Sequence, residues 1–381
     1  MLQIVWLNNQ EVGGMTSPID VIGSMVGLVS MWLPGNRFSG SIPSNIDNLT
    51  SLKDLNLNEN QLVGLILQEL PSLTALKLSG NGLSGTKPKN FHNSMLQIVW
   101  LNNQEVGGMT SPIDVIGSIV GLKSSQLTNF SCSKCNIVRP LPGYFGELPS
   151  LSALKLSGNG LSGTIPNNFH NSMLQILWLN NQEGSGMTSP IDVIGSMVGL
   201  VSLWLHGNRF SGSILANIKN LPSLNDLSLN VNQLVGMIPQ GLANLDLYSL
   251  NLDSNMLMAC LACLPVTGWV GKIPTRKSSQ LTIFSCSNCN IVGPLPRYFG
   301  ELPSLTALNC MAMGLVEGGG MTSPIDVIGS MVGLVSLWIH GNRFSGSIPG
   351  SIENLTSLKD LSLNENQLVG LIPQGLANLD L

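Results

Sequence analysis

An α/β solenoid is the fold this sequence predicts: a curved right-handed superhelix with parallel strands on its concave face and a mostly irregular or short-helical convex side. Three observations predict it. The first is self-similarity, since "GMTSPIDVIGS" begins at Gly14, Gly108, Gly186 and Gly320, and "GNRFSGSI" at Gly35, Gly207 and Gly341. The second is a shorter frame beneath those copies, L-x-x-L-x-L-x-x-N-x-L-x-G-x-I-P. It starts at Leu2, Leu28, Leu52, Leu73, Leu96, Leu127, Leu151, Leu174, Leu200, Leu224, Leu247, Leu281, Leu305, Leu334 and Leu358, mostly 23, 24 or 26 residues apart. The third is composition. Of 381 residues 43% are hydrophobic and only 10% charged, with 42 glycines, so apolar surface is ample while few charges need solvating.

Each part of the frame has a structural reason, and together they define the leucine-rich repeat. In L-x-x-L-x-L a short strand alternates its side chains, so the frame leucines point into a shared core and the residues between them face outward. One repeat cannot bury its leucines alone, whereas stacked copies form a continuous parallel sheet. The frame asparagines Asn36, Asn60, Asn81, Asn159, Asn208, Asn232, Asn255, Asn342 and Asn366 are expected to turn inward and form a ladder, because a buried amide must be hydrogen-bonded. One solenoid of about 15 turns over residues 1–381 is expected, with irregular junctions near 64–72, 121–126, 258–280 and 309–320, where the frame is broken.

Two Cys-x-x-Cys pairs raise the question of metal or redox chemistry. In the frames from Leu127 and Leu281, Cys132 and Cys286 take the third leucine position, and Cys135 and Cys289 the ladder position. All four are therefore expected in the core, where a thiol behaves as a small hydrophobe. Cys260 and Cys263, with 22 residues between Cys263 and Cys286, leave a zinc ribbon as the alternative to packing. Cys310 brings the count to seven, so no closed disulfide framework is implied. No metal and no cofactor are expected.

Charge narrows the partners. The net charge is -4 and the 17 Lys and Arg are scattered singly, so no basic stripe exists to meet a phosphate backbone and nucleic acid is not expected as a partner. The most membrane-like stretch, Met256 to Gly271, is short for a span and contains Pro265. The sequence contains no H-R-D, no D-F-G and no glycine-rich loop followed by a lysine strand, so no kinase chemistry is expected of it.

The second half of the frame, L-x-G-x-I-P, is carried by "GSIP" at Gly40, "GTIP" at Gly163, "GMIP" at Gly236, "GSIP" at Gly346 and "GLIP" at Gly370. It resembles the plant-specific leucine-rich repeat of receptor kinases, receptor-like proteins and polygalacturonase inhibitors. "CNIVGPLPRYFGELPSLTAL", "LQILWLNNQEGSGMTSPIDVIGSMVGLVSLWLHGNRFSGSI" and "NLTSLKDLSLNENQLVGLIPQGLANLDL" are similar to the ectodomain of the plant transmembrane-kinase family. That resemblance implies an extracellular or cell-surface binding module for a secreted protein or peptide, an auxin-binding-type protein being one such partner. It implies membrane attachment only through segments that this chain lacks. The alternative within the repeat class is a soluble inhibitor of a secreted cell-wall hydrolase such as polygalacturonase. The family begins with a signal peptide and a cysteine-paired cap, whereas "MLQIVWLNNQ" opens within a repeat, so both solenoid ends are expected to be uncapped and to open readily.

The candidate binding residues follow from the frame. The position between the second and third leucines points outward on the concave sheet, and Trp6, Trp32, Trp100, Trp178, Trp204 and Trp338 all occupy it. Trp178 and Trp204 fall on consecutive strands, expected about 4.8 Å apart, and Trp6 and Trp32 form a similar pair. Large rigid rings bury much area at small entropic cost, which makes such a row an anchor for a protein or peptide. His206 and His340 lie alongside Trp204 and Trp338, with no acid or nucleophile partner in the frame, and are expected to face solvent. No catalytic residue is identified. Asn48, Asn129 and Asn354 head N-x-S/T sequons, and Asn48 and Asn354 are expected on the convex side, where a glycan is tolerated.

Overall fold

The structure is a computed structural model that describes the chain apart from residues 1, 10–14, 18, 67–69, 85–94, 105–125, 171–172, 185, 190, 215, 240–241, 243–244, 261–279, 296 and 313–319. Most of the junctions expected near 64–72, 121–126, 258–280 and 309–320 lie outside the described residues. The chain forms two compact units, Met1–Met187 and Thr188–Leu381.

In each unit the L-x-x-L-x-L segments form three-residue strands of one parallel principal sheet. In the first unit they run Ile4–Trp6, Ser30–Trp32, Asp54–Asn56, Ala75–Lys77, Ile98–Trp100, Asn129–Ser131, Ala153–Lys155 and Ile176–Trp178, each paired with the next. In the second they run Ser202–Trp204, Asp226–Ser228, Ser249–Asn251, Ile283–Ser285, Ala307–Asn309, Ser336–Trp338 and Asp360–Ser362. Beneath them the frame leucines of the inner turns are buried, as Leu200, Leu203 and Leu205 show within a single turn, joined by Phe210 and Ile214 from the second half of the frame, whereas Leu2 and Leu7 of the first turn are exposed.

The ladder is present and its bonding is regular. Asn60 Nδ2 donates to the carbonyls of Leu57 (3.1 Å) and of Leu33 one repeat earlier (3.0 Å), while its Oδ1 accepts from the Phe38 N–H (3.1 Å). Gln104 and Gln182 stand in the same position and were not expected there. Gln182 Nε2 reaches Leu156 O and Leu179 O at 2.9 and 3.0 Å, its Oε1 accepting from Leu161 N at 3.0 Å. The extra methylene keeps the same three partners in reach, so the register of the frame rather than residue identity was the signal.

The far side of the frame carries the expected short-helical turns and, ahead of them, an extended segment that adds a second sheet. After the ladder residue the chain is extended and pairs into a second parallel sheet in each unit, Thr16–Ser17, Arg37–Ser41, Gln61–Gly64 and Gly82–Leu83 in the first. The second unit's counterpart runs from Thr188–Ser189 to Gln367–Leu368. The frame glycine turns this segment back: Gly40 sits at φ 79° and Gly346 at φ 79°, a conformation that costs a side chain-bearing residue strain. Proline then opens a short 3-10 turn, Pro43 before Ser44–Asn48 and Pro349 before Gly350–Asn354, each turn burying one isoleucine, Ile46 or Ile352. Met256–Cys260, the start of the most membrane-like stretch, is a strand of the second sheet, and among the described residues no helix is long and apolar enough to cross a membrane.

The cysteines Cys132, Cys135, Cys286 and Cys289 are all buried, as their frame positions require. The structure adds a bond the spacing did not imply: Cys132 and Cys135 form a disulfide, their Cα atoms 5.7 Å apart. Cys286 and Cys289 are thiols with sulfurs 2.8 Å apart, and Cys310 is a buried thiol. Among the described residues no cluster of His, Cys, Asp and Glu is arranged to hold a metal, and Cys263, half of the possible zinc ribbon's outer pair, lies outside them.

Candidate binding surface

The strand register lines up one outward row in the first unit: Trp6, Trp32, Asn56, Lys77, Trp100, Ser131, Lys155 and Trp178. Because adjacent parallel strands lie about 4.8 Å apart, neighbouring rings in such a row touch. Trp6 and Trp32 stack with centroids 5.4 Å apart at 26°. Trp32 Nε1 donates to Asp54 Oδ2 at 2.7 Å, and Lys77 Nζ lies 3.7 Å from Asp54 Oδ1. The same ammonium sits 5.1 Å from the Trp32 ring centroid and 5.3 Å from that of Trp100, so one lysine fills the gap between two rings. Farther along, Lys155 Nζ lies 3.9 Å over Trp178, and burial there holds its ammonium below the ordinary lysine value.

The second unit's row reads Trp204, Ser228, Asn251, Ser285, Asn309, Trp338 and Ser362. Trp204 Nε1 donates to Asp226 Oδ2 at 2.6 Å, and Ser202 Oγ donates to the same oxygen at 2.8 Å. The tryptophans are outward but graded in exposure: Trp6 and Trp338 are 62% and 38% exposed, whereas Trp32, Trp100, Trp178 and Trp204 are half-buried. Trp178 belongs to the first unit and Trp204 to the second.

The histidines correct the expectation of a partnerless, solvent-facing ring. His206 is half-buried, its Nδ1 is 2.9 Å from Ser228 Oγ, and Ser228 donates in turn to Asn230 Oδ1 at 2.7 Å. His340 repeats the arrangement with Ser362 at 2.9 Å and Asn364 at 2.8 Å. In both cases the partner stands on the next strand, 22 residues on, which is why a search inside one frame finds nothing. The serine hydroxyl thus joins the ring to an asparagine amide and not to a carboxylate, a polar network that holds the imidazole in place.

Burial lowers the His206 pKa below its ordinary 6.5, and the charge of Asp226 opposes that shift only in part. The unfolded chain therefore binds the proton more tightly than the folded one, and stability falls as the pH drops through 6.5 and below. His206→Gln is expected to flatten that part of the profile. Chemical unfolding at a series of pH values checks it, and parallel profiles for the two proteins would refute it.

The sequons separate by side. Asn48 and Asn354 end the 3-10 turns Ser44–Asn48 and Gly350–Asn354 and are exposed, away from the principal sheets. Asn129 opens the strand Asn129–Ser131, and its Oδ1 accepts from Trp100 Nε1 at 3.2 Å. Expression through a plant secretory route is expected to glycosylate Asn48 and Asn354 and to leave Asn129 bare. Glycopeptide mass spectrometry decides it, a glycan on Asn129 being the contrary result.

This geometry agrees with what the chain resembles. The Leucine Rich Repeat family model matches residues 72–94, 150–172, 199–221, 333–355 and 357–379, and the chain carries leucine-rich repeats similar to those of plant receptor-like kinases. It is similar in particular to the ectodomain of the TMK receptor-like kinases. The identity to Receptor-like kinase TMK4 of Arabidopsis thaliana is 32% over 342 residues, 88% of this chain and 35% of that protein. To Receptor-like kinase TMK2 of the same plant it is 33% over 220 residues, 55% of this chain and 24% of that protein. The chain thus spans a quarter to a third of these relatives. The Arabidopsis receptor kinase HAESA ectodomain, solved with an IDA peptide hormone ligand, superposes with a TM-score of 0.70 at 25% identity, over 98% of this chain and 67% of that one.

Proposed function

We propose that this chain is a non-catalytic binding module of the receptor-ectodomain type, which takes a secreted peptide or protein on the outward face of its principal sheets at the cell surface or outside the cell. The observation that carries the reading is the tryptophan rows, in which rings held by neighbouring strands form a rigid platform whose ordering cost is met on folding. The similarity to an ectodomain solved with a peptide hormone supports a peptide ligand. The TMK resemblance adds a secreted auxin-binding-type protein as a specific partner to test. The binding residues in this reading are Trp6, Trp32 and Trp178 in the first unit and Trp204, His206, Trp338 and His340 in the second.

Panning a displayed random-peptide library against the whole protein tests it. Alanine at Trp32, Trp178, Trp204 or Trp338 is expected to weaken the recovered peptides at least tenfold, on the order of 1.4 kcal/mol or more as for an aromatic anchor, with thermal unfolding little changed. Undiminished affinity in all four folded variants would remove the tryptophan rows from the binding surface.

A further inference from the structure

The two units carry the same aromatic–carboxylate pair in two states of completion. In the first, Trp32 Nε1 bonds Asp54 Oδ2 and the Lys77 ammonium closes the arrangement, 3.7 Å from Asp54 Oδ1 and 5.1 Å from the ring centroid. In the second, Trp204 Nε1 bonds Asp226 Oδ2 in the same way. Strand register places Lys77 in the row two strands beyond Trp32, through Asn56, and places Asn251 in the row two strands beyond Trp204, through Ser228. The second unit therefore has the ring and the carboxylate but an asparagine where the lysine stands. Both donors to Asp226, Trp204 Nε1 and Ser202 Oγ, meet Oδ2, and Oδ1 has no donor among the described residues. Two residues beyond Lys77 stands Ser79, and the corresponding position of the second unit holds Asp253. Over these three strands the outward positions of the first unit hold Lys53, Asp54, Glu59 and Lys77, which balance, while those of the second hold Asp226 and Asp253 with no lysine or arginine.

We propose that Trp204, Asp226 and Asn251 form a seat for the side-chain cation of a lysine or arginine in an extended peptide ligand. The ring face and the carboxylate do for the ligand what their copies do for Lys77: the ring quadrupole attracts the cation and the carboxylate of Asp226 forms an ion pair with it. Asp253 adds a second negative charge, held by bonds from Ser285 Oγ at 2.7 Å and from the Ser287 N–H, so the local field favours a basic segment over an acidic one. His206, anchored through Ser228 on the strand between, stands as a further polar contact beside the ring. The inference rests on the binding-module reading and specifies the ligand's chemistry.

The probe is the set of peptides recovered from the displayed random library with the whole protein as bait. They are expected to share a lysine or arginine at one position. Asp226→Asn should weaken them at least tenfold, and that loss should disappear when the shared basic residue of the peptide is changed to glutamine. Asn251→Lys, which supplies the missing ammonium internally, should weaken them by a similar factor without loss of thermal stability, and it carries the test if the Asp226 variant does not fold. Peptides that depend on Trp204 but lack the basic residue, or losses from Asp226→Asn and the glutamine peptide that simply add, would overturn the cation seat while leaving the binding module standing. Recovery of no peptide at all would overturn both.

Discussion

Phe130→Ala is expected to destabilise the first unit by about 4 kcal/mol, the range for emptying a fully buried phenylalanine site. Phe130 stands in a frame leucine position of the strand Asn129–Ser131, is 0% exposed, and packs its ring 5.4 Å from that of Phe145 on the far side of the turn. Its strand lies between Ile98–Trp100 and Ala153–Lys155, and the Cys132–Cys135 bridge begins two residues on. Each turn contacts mainly its neighbours in a solenoid, so the cavity cannot be filled from elsewhere and the loss should stay local to these turns. Denaturant unfolding followed by tryptophan fluorescence, with hydrogen exchange at Val99 and Leu154, measures both parts. A loss below about 1 kcal/mol would mean that the two flanking turns close over the gap.

Asn60→Ala is expected to cost about 2 kcal/mol, because the buried Phe38 N–H loses its acceptor while two carbonyls each lose one of two amide donors. The carbonyls of Leu33 and Leu57 keep the amides of Asn36 at 3.1 Å and Asn81 at 2.9 Å, whereas the Phe38 N–H is left with no acceptor from the ladder. Burying a donor or acceptor without a partner costs more than a hydrogen bond contributes when made. Asn60→Gln is the informative control, since Gln104 and Gln182 satisfy the same three kinds of partner elsewhere in the ladder. It should recover most of the loss in the same unfolding measurement. If alanine and glutamine are equally destabilising, the ladder position is decided by fit and not by its hydrogen bonds.

Much of the fold and part of the candidate surface were legible in the residues alone. The frame spacing determined the strands, the inward leucines, the asparagine ladder and the outward tryptophan row, because alternation along a strand sets the direction of every side chain from its position in the repeat. It also placed Cys132, Cys135, Cys286 and Cys289 in the core. The glutamines at 104 and 182 were visible by register and missed by residue type.

What each side chain meets was decided by the tertiary structure. The stack of Trp6 on Trp32, the lysine between Trp32 and Trp100 and the serine that holds His206 all involve residues one or two repeats apart. The second parallel sheet and the Cys132–Cys135 bond likewise depend on how extended segments and thiols approach after the chain has turned. The sequence by itself determined which residues point in and which point out, since that is a property of one strand's backbone. Which outward residues touch was settled only by strand register between turns, because lateral contacts across a parallel sheet join positions whose separation along the chain varies with every junction in between.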